Sequence, residues 1–207
     1  MRRLILLLLS PLVAAAAVPS PAGTYTIHQM EMAGGLELQP NGHFRYAFTY
    51  GAVDEESEGD WKLDGDTVRL TSKPMPKEPD FEVVRDEPAP QGDLILLLER
   101  PFQGWNGPLD GYVVVDGHEP YDLILDDEGR SAYDSRGVKS IILKIPVYGG
   151  LSSPIPISAD RGHRLSLRFR PNDLGHAAFR DEPLKLDGAG LVMERYDTQI
   201  RFLRDAP

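Results

Sequence analysis

Aromatic rings that could hold a ligand are concentrated in one stretch of the sequence, NGHFRYAFTYGAVDEESEGDW, which spans residues 41–61. Four of them stand at every second position, namely Phe44, Tyr46, Phe48 and Tyr50. In a β-strand they share one face, which forms either part of a hydrophobic core or the wall of a ligand pocket. The candidate ligand-binding residues are Tyr46 and Tyr50, whose hydroxyls need partners when buried, together with Trp61.

Five carboxylates follow within residues 54–60, in the order DEESEGD. Oxygen ligands of this kind suit a divalent cation, but the order does not fit an EF-hand loop. Consecutive side chains of an extended chain also point to opposite sides, so Glu55 and Glu56 would not face one ion unless the loop folds back. A solvated hairpin loop is the favoured interpretation, and a divalent-cation binder is the alternative. We predict no metal site and no cofactor.

Three arginines form a stripe in HRLSLRFRP, residues 163–171. Arg164, Arg168 and Arg170 alternate with apolar residues, so they share one face of a predicted strand and could bind phosphate or carboxylate groups. The alternatives are a solvated outer face, an edge strand protected by charge, and ion pairs with the acidic residues that precede position 161.

Signals for catalysis are missing from the sequence. It has no cysteine and no G-x-S-x-G motif, and its five histidines form neither an H-x-x-x-H nor an H-E-x-x-H pair. No pair among its thirty-two carboxylates can be singled out for acid–base chemistry. We therefore name no catalytic residue. The first hypothesis is a non-catalytic binding or accessory module, and the second is a hydrolase whose site is assembled from dispersed residues.

Apolar and polar residues alternate with a period of two through almost all the segments that must position these residues. This alternation predicts an all-β fold. Within residues 18–73, segments of alternating apolar and polar residues are separated by tight turns such as Asn41-Gly42. This pattern predicts an antiparallel meander or small barrel. Five prolines within residues 74–92 predict a linker, to which residues 81–84 could add an edge strand. Further short strands over residues 93–207 predict a β-sandwich.

The N-terminal strands resemble a lipocalin-like meander of bacterial envelope proteins, a form shared by copper-stress lipoprotein domains. The matching segments are GTY, LELQPNGHFRY and EGDWKLDGDTVRLT, which begin at residues 23, 36 and 58. The resemblance covers about 50 residues and implies a small barrel or curved sheet. It does not indicate which ligand this chain would bind, because the cysteine pair of the copper-stress domains is absent. Residues 113–131, VVVDGHEPYDLILDDEGRS, resemble transthyretin-type and carboxypeptidase-regulatory sandwiches.

The first 17 residues have the layout of a secretory signal peptide, with a basic start, an apolar run over residues 4–13 and small residues at 14–17. This layout predicts a periplasmic or secreted protein whose mature chain begins near Val18, without membrane insertion after cleavage. The net charge of −10 disfavours nucleic acid and anionic lipid as partners. An envelope protein, a glycan or a small ligand is the expected partner.

Overall fold

The computed structural model describes residues 20–99 and 107–206, so the predicted signal peptide at residues 1–17 lies outside the described residues. Those residues form fifteen β-strands and one short 3-10 helix, Ser135–Gly137. The strands are β1 (Gly23–Ile27), β2 (Met32–Leu38), β3 (His43–Tyr50), β4 (Val53–Asp64), β5 (Thr67–Ser72), β6 (Asp80–Ala89), β7 (Leu94–Leu98), β8 (Gly111–Val115), β9 (Tyr121–Asp122), β10 (Val138–Leu143), β11 (Ile155–Pro156), β12 (Gly162–Arg170), β13 (Arg180–Asp187), β14 (Gly190–Arg195) and β15 (Thr198–Arg204).

Eight strands close into an antiparallel barrel in the order β1-β2-β3-β4-β5-β13-β14-β15, and β15 pairs with β1. Two pairings join the N-terminal meander to the C-terminal strands. Leu70 of β5 lies opposite Glu182 of β13, and Tyr25 of β1 lies opposite Arg204 of β15. An open five-stranded meander would have a free strand edge on each side, and closure of the barrel removes both edges.

The chain between β5 and β13 forms two further sheets, which we call the inserted sandwich. One sheet has the order β6-β12-β7, and the other has the order β11-β10-β8-β9. Their apolar faces share one hydrophobic core, in which Leu94, Ile141 and Leu167 are fully buried. The inserted sandwich therefore has its own core, separate from the core of the barrel.

The structure confirms the predicted all-β class but draws the internal boundary differently. The sequence predicts one sandwich over residues 93–207, whereas β13, β14 and β15 belong to the barrel. Residues 74–92 contain β6, a ten-residue edge strand of the inserted sandwich, in place of a mere linker. The reason is that alternating side chains mark a strand without stating which sheet completes it, and the barrel needs three more strands to close.

The interior of the barrel is packed with side chains. Phe44, Tyr46 and Phe48 of β3 turn inward and meet Phe179 and Phe202 from the C-terminal part of the chain. The ring centroid of Phe179 lies 5.0 Å from that of Tyr46 and 6.0 Å from that of Phe44. The aromatic face of β3 therefore belongs to the core of the barrel.

A cluster of hydroxyls fixes the point where the chain returns to the barrel. The hydroxyls of Ser57 and Ser72 lie 2.8 Å apart, and each contacts the carbonyl oxygen of Ala177, at 2.9 and 2.8 Å. The backbone N–H of Phe179 donates to the Ser72 hydroxyl at 2.9 Å. These bonds place Phe179 at the centre of the barrel and keep buried polar atoms paired.

We expect Phe179→Ala to lower the free energy of unfolding by about 3–5 kcal/mol, because it leaves a cavity among the rings of the barrel. Val83→Ala is the control, since Val83 is 38% exposed on β6, and it should change stability by less than about 0.5 kcal/mol. Urea denaturation of both variants gives the comparison. Equal stability of the two variants would mean that the Phe179 ring does not complete this core.

Candidate functional site

Polar side chains gather at one end of the barrel, which we call the barrel mouth. Its members are Tyr46 of β3, Glu55 of β4, Glu182 of β13, Arg195 of β14 and Tyr196 of the turn that follows β14. The other four members each raise or lower the pKa of the Tyr46 hydroxyl through electrostatic interaction. The barrel mouth is therefore one interacting cluster, built from residues of both halves of the chain.

Glu55 points into the barrel because successive side chains of β4 point to opposite faces of the strand. Val53, Glu55 and Ser57 turn inward and are buried, whereas the carboxylates between and after them, Asp54, Glu56, Glu58 and Asp60, are exposed on the outer face. The predicted hairpin loop over residues 54–60 is therefore wrong, since this segment is a strand in the wall of the barrel. The five carboxylates do not converge, and the described residues contain no group of three or more acidic or histidine side chains placed to hold a metal ion.

Glu55 and Arg195 form a two-pronged ion pair inside the barrel mouth. Arg195 donates from Nε to Glu55 Oε2 at 3.1 Å and from Nη2 to Glu55 Oε1 at 2.7 Å. The Glu55 side chain is 5% exposed and the Arg195 side chain 26% exposed. Burial alone would lower the pKa of Arg195, but the hydrogen bonds and charge of Glu55 raise it. The Arg195 guanidinium therefore stays ionised.

Two aromatic rings pack against the Arg195 guanidinium. Its central carbon lies 5.5 Å from the ring centroid of Phe179 and 5.0 Å from that of Tyr196, which is within the range of cation–π contacts. The Tyr196 ring also stacks on Phe48, with centroids 5.9 Å apart and planes 9° apart. Burial and the neighbouring Glu55 carboxylate raise the pKa of Tyr196.

The turn that carries Tyr196 is conformationally strained. Arg195 pairs with Thr198, so Tyr196 and Asp197 form a two-residue turn, and both have positive φ angles, of 55° and 54°. Turns of this type favour Asn and Gly, and a bulky aromatic residue is unusual there. The Tyr196 ring turns into the barrel mouth despite this strain, and strained residues of this kind concentrate at functional sites.

The buried hydroxyl of Tyr46 lacks a partner. Tyr46 is 3% exposed, and its hydroxyl oxygen makes no hydrogen bond within the described part of the chain. Burial, with the nearby Glu55 charge, raises the pKa of Tyr46 strongly, so the hydroxyl keeps its proton. A buried polar group without a partner is rare in native proteins and needs an explanation.

Like the buried hydroxyl of Tyr196, Glu182 also lacks a direct partner among the described residues. It follows a bulge at Asp181, whose φ is 61°. The register of β13 with β14, in which Lys185 lies opposite Val192, places Glu182 opposite Arg195 when it is continued. Burial raises the pKa of Glu182, and the charge of Arg195 offsets this only in part. Its carboxylate makes no hydrogen bond or ion pair within residues 20–99 and 107–206.

A cleft of about 470 Å³ opens between the barrel mouth and the inserted sandwich. Its lining includes Glu55, Glu78, Tyr148, Gly175, His176, Arg195, Tyr196 and Asp197. Tyr148 packs against both hydrophobic cores, so it lies where the two units meet. Gly175 reaches this place because its carbonyl oxygen accepts from the N–H of Glu56 on β4 at 2.8 Å.

The segment that carries Tyr148 is strained in the same way as the turn at Tyr196. The N–H of Tyr148 donates to the carbonyl oxygen of Pro146 at 2.8 Å, which closes a γ-turn around Val147. Val147 has a φ of 69°, a value that is an outlier for a β-branched residue. Strained backbone therefore borders the cleft from the barrel and from the inserted sandwich.

The structure separates the three predicted ligand-binding residues. Tyr46 belongs to the barrel mouth, and Tyr50 is half-buried beside Phe48, with ring centroids 6.4 Å apart. Trp61 lies toward the other end of β4, where its indole N–H donates to the carbonyl oxygen of Gln39 at 2.9 Å. Tyr46 and Tyr50 thus each contact Phe48, which lies between them on β3, and Trp61 lies apart from both. Sequence reasoning missed Glu182, Arg195 and Tyr196, and no spacing signal links them to β4.

The arginine stripe lies on the outer face of β12, which is the central strand of its sheet, so the edge-strand interpretation is wrong. Arg168 donates to Glu99 at 2.6 Å and Arg170 donates to Glu82 at 2.5 Å. The hydrogen bond from Arg168 lowers the pKa of Glu99. Pairing with acidic residues that precede position 161 is therefore confirmed for these two arginines, and Arg164 is exposed beside them.

A serine, a histidine and an aspartate meet at the end of β12. His163 is buried, its Nδ1 lies 3.0 Å from Asp86, and its Nε2 lies 3.2 Å from the Ser158 hydroxyl. The same Nε2 is closer, at 2.9 Å, to the carbonyl oxygen of Ser158, which can only accept a hydrogen bond. Nε2 therefore carries a proton in this contact and is not free to activate the serine. This contact holds the loop that contains Ser158 against β12.

Comparison of the chain with protein families, with curated proteins and with solved structures found no match. The fold and the site by themselves define the class of protein: a closed eight-stranded barrel with an inserted sandwich beside its polar mouth. A separate finding is that the described residues include no helix with the length and apolar character that crossing a membrane would require.

We expect Arg195→Met to lower the free energy of unfolding by about 2–3 kcal/mol, because it leaves Glu55 buried without a counter-charge. The double variant Glu55→Gln, Arg195→Met should recover at least about 1 kcal/mol of this loss. Thermal and urea denaturation measure both. Strictly additive effects of the two substitutions would show that the ion pair is not coupled.

We expect Glu182→Gln to raise the melting temperature at pH 7 by about 1–2 °C, a small gain because the group is partly exposed and screened by solvent. The pKa of Glu182 is raised in the folded state, so its contribution to stability is fully present below the unfolded pKa and is lost as the pH rises through the folded pKa. The gain from the substitution should accordingly vanish below about pH 4. Melting curves between pH 3.5 and pH 8, run against the unaltered protein, test this; a gain that is independent of pH would contradict it.

Proposed function

We propose that this chain is an exported, non-catalytic binding module of the cell envelope that holds a small polar ligand at the barrel mouth. The observation that carries the proposal is a pair of buried hydroxyls at the barrel mouth, those of Tyr46 and Tyr196, which have no partner in the described residues; Tyr196 also lines the cleft beside the mouth. A ligand with hydrogen-bonding groups would complete both.

The cleft supports this proposal by its size and its place. Its volume of about 470 Å³ is within the range of about 300–1,000 Å³ that small-molecule sites occupy. It lies between two units with separate cores, and such junctions commonly hold ligands. The rings of Tyr148 and Tyr196 offer apolar contact, while Glu55, Arg195 and Asp197 offer polar groups at the same place.

The proposed location outside the cytoplasm is supported by the sequence. Residues 1–17 have the layout of a secretory signal peptide, and the N-terminal strands resemble lipocalin-like envelope proteins. A hydrolase is the less favoured function, because Nε2 of His163, the histidine next to Ser158, is engaged by a carbonyl oxygen.

The decisive variant is Tyr46→Phe, which keeps the ring and removes only the unpaired hydroxyl. A small-molecule set of sugars, amino acids, amines and organic acids is titrated into the isotope-labelled protein and followed by NMR. We expect a saturable ligand that shifts the amides of Tyr148, Gly175 and Tyr196. The Phe variant should be at least as stable as the parent, because burial of an unpaired hydroxyl is unfavourable, and it should bind that ligand about fivefold more weakly.

The amide of Gly65 is the internal control, since it lies in the turn between β4 and β5, away from the barrel mouth. Shifts that centre on that turn would contradict the proposal. The proposal would also be contradicted if the Tyr46→Phe variant bound the ligand as tightly as the parent. The same conclusion would follow if no compound of the set shifted the amides at the barrel mouth.

A further inference from the structure

We infer that the ligand of the cleft is an uncharged carbonyl compound, such as an amide, whose oxygen accepts hydrogen bonds from the free N–H groups of Arg195. The inference rests on the proposed function and adds the chemical class of the ligand. It depends on the donors that the lining of the cleft leaves unused and on the balance of charge around them.

The guanidinium of Arg195, which lines the cleft, has hydrogen-bond donors that no protein group uses. A guanidinium carries five N–H groups, and the two bonds to Glu55 engage one on Nε and one on Nη2. The third nitrogen, Nη1, makes no hydrogen bond within the described part of the chain, and it is not one of the fully buried atoms that lack a partner. Nη1 and the second N–H of Nη2 therefore form a free fork that can hold a ligand oxygen.

The wall formed by the inserted sandwich also offers donors. Gly149 and Gly150 line the cleft, in a loop that the N–H of Ile145 closes by donating to the carbonyl oxygen of Gly150 at 3.0 Å. The N–H groups of both glycines make no hydrogen bond to another described residue. A ligand between the two walls would therefore meet N–H donors from each of them, and acceptor oxygens match such donors.

The charges on the lining of the cleft disfavour an anionic ligand. Arg195 is already balanced by Glu55, and Asp197, at the tip of the turn after β14, makes no ion pair with another described residue. His176 adds no free positive charge, because its Nε2 lies 3.1 Å from Glu56 Oε1. An anion would lie beside the unpaired Asp197 carboxylate and would compete with the nearly buried Glu55 for one guanidinium.

A cationic ligand is disfavoured for a different reason. An ammonium group has N–H donors and no acceptor, so it would face the N–H groups of Arg195 without a hydrogen bond and beside a positive charge. An uncharged carbonyl oxygen accepts from these donors and adds no charge. The N–H groups of an amide can in turn donate to Asp197, and the half-buried ring of Tyr148 on the same lining offers apolar contact to the carbon chain.

A matched series of four-carbon probes separates these classes. The probes are succinamide, butane-1,4-diol, butane-1,4-diamine and succinate, each titrated into the full protein at pH 7.5 and constant ionic strength and followed by NMR. We expect succinamide to shift the amides of Tyr148, Gly150 and Tyr196. It should bind there about tenfold more tightly than each of the other three probes, because it alone supplies carbonyl acceptors without a charge.

The substitution Arg195→Lys assigns the effect to the free fork. Lysine keeps a positive charge opposite Glu55 but lacks the second pair of planar donors, so succinamide binding should weaken about tenfold. Arg201→Lys is the matched control, because Arg201 lies on β15, donates to Asp187 at 2.8 Å and does not line the cleft. It should leave the affinity within about twofold. Equal effects of the two substitutions would overturn the assignment to Arg195.

Two further measurements do not depend on the folding of the Arg195→Lys variant. In the unaltered protein, succinamide should shift the side-chain N–H signals of Arg195 and leave those of Arg201 in place, and the reverse would overturn the inference. Asp197→Asn removes the unpaired charge at a φ of 54°, which asparagine tolerates. It should strengthen succinate binding about threefold, and no gain would overturn the preference for an uncharged ligand.

The outcomes also separate this inference from the proposed function. Binding of the diol, the diamine or succinate in the cleft as tightly as succinamide would overturn the uncharged carbonyl class and leave the binding site intact. The same holds if succinamide fails while another member of the larger set shifts the amides of Tyr148 and Tyr196. If no compound shifts them, both the inference and the proposed function are overturned.

Discussion

Closure of the barrel between β5 and β13 is the constraint on which the rest of the structure depends. The meander of β1–β5 has two open edges, and the C-terminal strands supply the partners for both of them. Once β13 pairs with β5, the next hairpin brings Arg195 into the barrel against Glu55, a residue 140 positions earlier in the chain. The same closure makes the chain between β5 and β13 leave and re-enter the barrel wall, so the inserted sandwich comes to lie beside the mouth.

A filled interior decides where a ligand can bind in this fold. The rings of Phe44, Phe179 and Phe202 occupy the centre of the barrel, so a ligand would bind outside this packed interior, as in the cleft beside the mouth. At the mouth the packing changes from apolar to polar. The buried ion pair there contributes little net stability, because desolvation offsets most of its attraction. What it provides is a fixed, hydrogen-bonded framework beside Tyr46 and Glu182. Strain at Val147 and Tyr196 shows that the chain holds the mouth and the adjoining cleft in a conformation with a local energetic cost.

Much of the fold follows from local pattern. The period of two along β3 and β4 predicts their strands, and Asn41-Gly42 predicts the turn before β3, since both depend on neighbouring residues alone. The boundary between barrel and sandwich could not be predicted in this way. Strands β13–β15 have the same alternation whether they extend a sandwich or close a barrel, and the prolines of residues 74–92 permit the edge strand β6 as readily as a linker.

The sequence by itself determined that Glu55 and Glu56 face opposite sides, because successive side chains of an extended chain always do. It also determined that the rings of Tyr46 and Phe48 share a face. The tertiary structure alone decided that this face is the interior, that Trp61 lies apart from Tyr46, and that Glu55 meets Arg195. The reason is that pairing between distant strands is set by the closure of the whole barrel, and closure depends on which strand edges remain free after every local element has formed.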